Sequence, residues 1–176
     1  MICGTTGFNE AEHLLLESYS KNTQIVWSAN MSIGINIILD IAVKTAKSLY
    51  DFDIEIVEMH HNKKVDAPSG TALMIGNKIA DAKNTTLSEI AKMSRFGNNC
   101  QRKSGEIGFS TIRGGDVIGD HNIIFAGPGE RVEISHKASN RSIYALGAVR
   151  AAIWASNKSP GKLYSMSDVL AINYGD

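Results

Sequence analysis

The densest polar segment of the chain reads Glu58-Met59-His60-His61-Asn62-Lys63-Lys64-Val65-Asp66-Ala67-Pro68-Ser69-Gly70-Thr71-Ala72. Residues 53–58 alternate polar and apolar side chains, which predicts a half-buried strand that runs into this segment. Residues 71–82 carry apolar side chains at helical spacing, which predicts a helix that leaves it. A polar loop between a strand and a helix gathers its side chains at the carboxyl end of a sheet, where α/β proteins bind their ligands.

The second half of this segment has the features of an anion site. Pro68 favours an extended conformation at Ala67 and ends the loop. Ser69, Gly70 and Thr71 then offer backbone N–H groups, hydroxyls and the positive end of a helix dipole, which suit a phosphate or a carboxylate.

The first half adds groups that can carry positive charge or donate protons, namely His60, His61 and Lys64. Histidine is the side chain best suited to releasing a proton near neutral pH. We interpret the whole segment as a pocket for a dicarboxylate or a phosphate with a built-in general acid. Three alternatives stay open on the residues alone: a solvated strand edge, a metal site and a simple helix start.

The metal alternative is the weakest of the three. Neighbouring residues in a strand point to opposite faces, which separates His60 from His61. The spacing of Glu58, His121 and His136 matches no recognised zinc motif. We therefore expect no metal.

Residues 1–31 predict a strand, a glycine turn, a helix and a second strand, which is the repeating unit of a doubly wound parallel sheet. The helix presents one apolar face, made of Phe8, Ala11, Leu14, Leu15 and Tyr19. The turn at residues 4–7 and the segment 28–31 would line one crevice. So few strands do not make a stable sheet, and we expect the chain to begin in the middle of a domain.

The remaining segments predict further helices and a β region. The pattern indicates a helix at 30–49, an irregular connection at 83–105 with a helical turn at 88–93, strands at 107–111, 121–125 and 131–136, a helix at 140–155 and a short element at 166–171.

Composition excludes several classes of partner. The 18 basic and 18 acidic residues cancel, so no net field attracts nucleic acid or membrane. Two cysteines are too few for a disulfide framework, and the apolar stretch 33–46 is interrupted by polar residues and cannot span a bilayer. The start resembles no signal peptide. We expect a cytoplasmic protein.

The segment at 58–72 matches at every fixed position the signature Glu-x-His-His-x-x-Lys-x-Asp-Ala-Pro-Ser-Gly-Thr-Ala, and the chain thereby resembles the dihydrodipicolinate reductase (4-hydroxy-tetrahydrodipicolinate reductase) family. Further family motifs match, in the family's order, at 4–8, 29–32, 105–119, 129–136 and 139–154. The resemblance implies NAD(P)H-dependent reduction of a cyclic dicarboxylate to tetrahydrodipicolinate in the diaminopimelate route to lysine. It also implies a homotetramer that assembles through the sheet at 105–136.

The resemblance implies a role for each matching residue. His60 would protonate the substrate, and Lys64 would assist it as a second proton donor. Substrate carboxylate would be held by His61, Gly70 and Thr71, and we add Ser69 from the anion site. The nicotinamide half of NADPH or NADH would contact Gly4, Thr5, Thr6, Ser28, Ala29, Asn30 and Met31.

The chain departs from the family because it has no glycine-rich dinucleotide fingerprint. About 100 residues, one small domain, are absent upstream, so we expect impaired cofactor binding and reduced stability. The expected architecture is α/β: a mixed-sheet α+β substrate and tetramerisation domain at 31–139, with remnants of a doubly wound, Rossmann-like nucleotide domain at 1–30 and 140–176. The alternative functions are a non-enzymatic dicarboxylate-binding or tetramer-forming module and, more distantly, a metal-dependent hydrolase.

Overall fold

A computed structural model describes residues 1–172 and divides the chain into two compact units. One unit comprises Met1–Ile37 with the described residues from Arg141 onward, and the other comprises Ile38–Asn140. Among the described helices, none is long and apolar enough to cross a membrane.

In chain order the elements are β1 (Ile2–Cys3), α1 (Glu10–Ser20), β2 (Ile25–Trp27), α2 (Ile33–Ser48), β3 (Asp53–His60), α3 (Gly70–Ala82), α4 (Leu87–Ile90), β4 (Ala91–Lys92), β5 (Ile107–Arg113), β6 (Gly119–Gly127), β7 (Glu130–Ala138), α5 (Ser142–Ala155), β8 (Leu163–Tyr164) and α6 (Met166–Val169).

The first unit contains a parallel sheet in the order β1-β2-β8. Cys3 pairs with Trp27, so β1 and β2 end at the same edge of this sheet. Asn9 and Glu12 form a capping box that starts α1 two residues later than the apolar pattern predicts. Leu14 and Leu15 on the predicted apolar face of α1 are more than half exposed in the part of the chain that the structure describes.

Helix α5 packs closely in the core of this unit, against α6 and β2. A side chain at Gly147 would have its Cβ 1.8 Å from the carbonyl oxygen of Met31, so only glycine permits this approach. Gly147 therefore serves close packing, as the sequence indicates, and Ala151 is buried in the same core, whereas Ala145 and Ala152 are exposed.

Helix α2 begins at Ile33, three residues later than predicted. The Asn30 side chain accepts a hydrogen bond from the Ser32 N–H (2.9 Å), and the Ser32 hydroxyl accepts one from the Ile35 N–H (3.3 Å). Asparagine side chains that bond to nearby backbone compete with helix formation, which makes Ser32 the capping residue.

The second unit contains a mixed sheet in the order β4-β5-β3-β6-β7. The central strand β3 runs parallel to β5 and antiparallel to β6. A two-residue loop, Pro128-Gly129, joins β6 to β7, and Gly129 has a positive φ of 80° that favours glycine there. Buried residues include Ile54 and Ile56 of β3 and Phe125 of β6.

The segment at 83–105 is more regular than predicted, because it contains α4 and β4, and β4 pairs with β5. Its irregular remainder is tied to the sheet by Arg95 and Arg102, which both donate to the Glu55 carboxylate. That carboxylate fills the space where a side chain at Gly108 would lie. The short strand β8, which pairs with β2, was not predicted.

Two histidines lie side by side in this sheet. His121 of β6 is opposite Glu58 of β3 on one side and His136 of β7 on the other. His121 is 5% exposed, and its Nε2 lies 3.2 Å from the Ser69 hydroxyl. Burial, reinforced by the neighbouring His60, lowers the pKa of His121 to about 4.

This burial predicts acid destabilisation. Above the ordinary histidine pKa of 6.5, His121 is neutral in both the folded and the unfolded chain. As the pH falls from 6.5 towards 4, the unfolded chain binds the proton first, and the folded state loses about 3 kcal/mol. We expect His121→Gln to remove most of this loss, as measured by urea unfolding monitored by circular dichroism between pH 8 and pH 4. The pH 8 comparison gives the packing cost alone, and parallel curves for the two proteins would contradict the prediction.

Candidate functional site

The candidate site forms at the carboxyl end of β3. The residues of this strand alternate between two faces of the sheet, and its buried face carries Ile54, Ile56, Glu58 and His60. Glu58 is 1% exposed and His60 is 8% exposed. Because the strand continues to His60, two residues beyond the predicted end, the alternation that buries the isoleucines also carries a carboxylate and an imidazole into the interior.

Four residues lie at hydrogen-bonding distance from the Glu58 carboxylate. Its Oε2 lies 2.5 Å from His60 Nδ1 and accepts from Arg113 Nη1 (2.9 Å). Its Oε1 accepts from Arg113 Nη2 (2.7 Å), the Ser69 N–H (3.1 Å) and the Thr111 hydroxyl (3.3 Å). Burial alone would raise the pKa of Glu58, but these bonds, with Arg113 foremost, hold it below its ordinary value. Glu58 is therefore a carboxylate.

His60 is neutral more readily than an exposed histidine. Burial lowers the pKa of its imidazole; Glu58 raises it, while Lys64 and Arg113 lower it further. A side chain at Gly119 would place its Cβ 2.9 Å from His60 Nε2, so a glycine is needed beside this ring nitrogen. The His121 ring meets the His60 ring edge-on, with centroids 5.2 Å apart.

In the loop after β3, Lys64 forms an ion pair with Asp66, which precedes α3. Lys64 Nζ donates to Asp66 Oδ1 at 2.7 Å. This bond is the main cause that lowers the pKa of Asp66, and the backbone of Gly70 adds a smaller lowering effect. Lys64 and the start of α3 therefore act on the same carboxylate.

The turn between β5 and β6 holds this loop in place. The Val117 carbonyl accepts from the His61 N–H (2.8 Å), and the Gly115 carbonyl accepts from the Asn62 N–H (3.2 Å). The Gly114 N–H donates to the His60 carbonyl (3.0 Å). These backbone bonds fix the path of the chain around the candidate acid.

The predicted anion-binding residues differ in exposure. The Ser69 side chain is buried and caps α3 by accepting from the Ala72 N–H (3.2 Å). Gly70 is exposed and Thr71 is half-buried. Gly70 is therefore open to solvent, Thr71 is partly covered, and Ser69 is buried within the protein.

The predicted cofactor residues lie together in the first unit, at the common edge of β1 and β2. The Thr5 carbonyl accepts from Trp27 Nε1 (3.0 Å), and the Ser28 N–H donates to the Cys3 carbonyl (3.1 Å). A Cβ at Gly4 would lie 3.6 Å from Met31 Cγ. The exposed members of this group are Gly4, Thr5, Thr6 and Ala29, while Ser28 and Asn30 are half-buried.

Sequence reasoning missed three contributors to the site: Arg113, Asp66 and the role of Glu58. The role of Glu58 could have been predicted from the alternation of the strand, because Glu58 lies on the same face of β3 as the buried isoleucines. The role of Arg113 could not, since its partner is 55 residues away in the sequence. The metal alternative needs three converging ligands, and in residues 1–172 no group of three histidine, cysteine, aspartate or glutamate side chains is placed to hold an ion.

Comparison with known proteins adds the family. A family model described as "Dihydrodipicolinate reductase, C-terminus" matches residues 34–170. The 4-hydroxy-tetrahydrodipicolinate reductase of Bartonella bacilliformis is 52% identical over 174 residues, 98% of this chain and 65% of that protein. The enzyme of the same name from Beijerinckia indica is 50% identical over 172 residues, 97% of this chain and 63% of that protein.

A solved structure is similar in fold. "Dipicolinate bound Dihydrodipicolinate reductase from Paenisporosarcina sp. TG-14" superposes with a TM-score of 0.69 at 25% identity, covering 93% of this chain and 62% of that one. The chain thus spans 63–65% of the length of these two curated relatives. Because the family model matches residues 34–170, most of this chain, the chain belongs to the dihydrodipicolinate reductase family.

Proposed function

We propose that this chain is the substrate-binding and proton-donating part of an NAD(P)H-dependent 4-hydroxy-tetrahydrodipicolinate reductase, which forms tetrahydrodipicolinate in the diaminopimelate pathway. The observation that supports this most is the arrangement of a buried His60, a lysine and an exposed helix N-terminus within one loop. It combines a proton donor with an anion site.

The anion site suits one carboxylate of a small dicarboxylate. Lys64 supplies a cation and Gly70 supplies a backbone N–H, and these two groups already hold the carboxylate of Asp66. A substrate carboxylate would compete with Asp66 for both, with His61 and Thr71 alongside. The Paenisporosarcina relative is described as binding dipicolinate, a planar dicarboxylate.

His60 is the proposed proton donor, with Lys64 assisting it. Its pKa is lowered in the ligand-free protein, chiefly by burial, and the charged groups that act on it are Glu58, Lys64 and Arg113. A bound dianion adds negative charge beside the ring and favours the imidazolium. The acid would therefore be charged by the arrival of the substrate.

NADPH or NADH would supply the hydride. The residues at the shared edge of β1 and β2 fit a nicotinamide, because Gly4, Thr5 and Thr6 are exposed and the absent side chain at Gly4 leaves the backbone accessible. The second side of this nicotinamide site would be formed by Ser28, Ala29, Asn30 and Met31. We propose impaired affinity for the nucleotide, and a homotetramer formed through the sheet of β5, β6 and β7. A cytoplasmic location stays a prediction from the sequence.

The second candidate is a dicarboxylate-binding or tetramer-forming module without turnover. It relies on the same anion site, at Lys64 and the start of α3, and needs no bound nucleotide. Binding of a dicarboxylate is expected for both candidates, so a measurement of NADPH oxidation is needed to distinguish them.

Dicarboxylate binding is tested by calorimetric titration with pyridine-2,6-dicarboxylate. We expect saturable binding that Lys64→Ala weakens by about ten- to a hundredfold, since a charge-assisted hydrogen bond contributes about 1.5–3 kcal/mol. Thr71→Ala should also weaken it. Lys63→Ala is the matched control, because it removes the same charge from an exposed neighbour. Equal losses in the Lys63 and Lys64 variants would contradict the site.

Binding should also take up a proton. Since the His60 pKa is lowered in the free protein and a dianion raises it, affinity should fall as the pH rises from 6 to 8. Calorimetry in buffers of different ionisation enthalpy measures this uptake directly. His60→Gln should reduce it, and an unchanged uptake in this variant would exclude His60 as the group that titrates.

Turnover is tested by NADPH oxidation with substrate generated in situ. The reductase proposal predicts consumption of NADPH that His60→Gln lowers by about 10²–10⁴-fold, which is the usual contribution of a general acid. Lys64→Ala should lower it too. Binding of pyridine-2,6-dicarboxylate without NADPH oxidation would favour the non-enzymatic module, and near-normal rates in both variants would exclude the assigned roles.

A further inference from the structure

The two oxygens of the Glu58 carboxylate have different neighbours. Oε1 accepts from Ser69 N–H, the Thr111 hydroxyl and Arg113 Nη2, while Oε2 accepts from Arg113 Nη1 and faces His60 Nδ1 at 2.5 Å. An ionised carboxylate only accepts hydrogen bonds. The hydrogen of the Glu58–His60 contact therefore belongs to His60 Nδ1.

We infer that Glu58 is a positioning residue for His60: it keeps a hydrogen on Nδ1 and thereby makes Nε2 the ring nitrogen that gains and releases the transferred proton. This inference rests on the proposed role of His60 as proton donor. Glu58 itself acts only through the ring. Second partners of this kind commonly fix the tautomer and orientation of a functional imidazole.

Arg113 completes the device. A buried carboxylate alone would draw a permanent proton onto the imidazole, which would make the ring a poor donor. Arg113 binds both oxygens of Glu58 and offsets this pull. Burial lowers the pKa of His60 most, Glu58 raises it, and Lys64 and Arg113 add to the lowering, so that the pKa lies below its ordinary value.

The other groups around the ring come from the loop, β5 and β6. Lys64 from the loop lowers the pKa of His60, as does Arg113 from β5. His121 from β6 is itself held neutral by burial, with a pKa of about 4. Gly119 places no side chain beside Nε2. The position at Nδ1 is thus occupied and the position at Nε2 is not crowded by its nearest neighbour.

The test is a long-range ¹H–¹⁵N correlation spectrum of the ¹⁵N-labelled, ligand-free full chain, titrated with acid. The chain has five histidines, and the His60 signals are identified by their absence in His60→Gln. We expect the wild-type ring to carry its hydrogen on Nδ1 when neutral. A neutral wild-type ring with the hydrogen on Nε2 would overturn the inference without any variant.

Glu58→Gln gives the sharper outcome. A glutamine has one oxygen, and three donors converge on the Oε1 position, so its amide nitrogen should take the Oε2 position and donate to His60 Nδ1. The neutral ring should then carry its hydrogen on Nε2, and its titration should move to lower pH. Arg113 Nη1 retains a partner in the Ile112 carbonyl (2.7 Å).

Glu133→Gln is the matched control, since it neutralises an exposed carboxylate of β7 without touching His60. It should leave the tautomer and the titration of His60 unchanged. A Glu58→Gln spectrum identical to wild type would overturn the inference. Because no ligand is present, a tautomer switch in a protein that fails to bind pyridine-2,6-dicarboxylate would support the positioning role and overturn the proposed function.

Discussion

The ion pair between the buried Glu58 and the partly exposed Arg113 is the interaction on which the rest of the site depends. Removing the arginine would leave Glu58 as an uncompensated charge in the interior, a change that typically costs about 3–5 kcal/mol in a fully buried pair. The pair between Lys64 and Asp66 differs, since the Asp66 side chain is 52% exposed. Exposed pairs contribute about 0–1 kcal/mol. One pair is therefore part of the framework, and the other can be exchanged for a ligand at little cost.

This difference explains how the loop can be both ordered and responsive. Its backbone is held by hydrogen bonds to the turn at 114–117, so the positions of His61 and Asn62 do not depend on a ligand. The Lys64 side chain, in contrast, is held by the neighbouring carboxylate of Asp66. A dianion that displaces Asp66 changes side-chain partners without rebuilding the main chain, which keeps the reorganisation cost of binding low.

Local pattern predicted much of the framework. The alternation at 53–58 and the helical spacing at 71–82 placed the polar segment between a strand and a helix, and the structure confirms β3 and α3 there. Strand boundaries were less accurate: β3 runs to His60 and not to Glu58, because a polar residue such as His60 continues the buried face of a strand only when a partner compensates it. That partner is Glu58, which is itself compensated by Arg113, and Arg113 lies on a strand whose register with β3 is set by tertiary pairing. The pair of residues at β8 is too short to give any pattern.

The contacts of Glu58 with Thr111 and Arg113, and the contact of Ser69 with His121, join residues separated by 52 to 55 positions in the chain. Contacts of such long range form late, because the loop-closure entropy must be spent before they stabilise anything. The proton donor is therefore assembled only when the whole sheet is. A unit in which β3 and β5 had not paired would lack the contacts of Glu58 with Thr111 and Arg113, so the state of the His60 ring reports whether these two strands have come together.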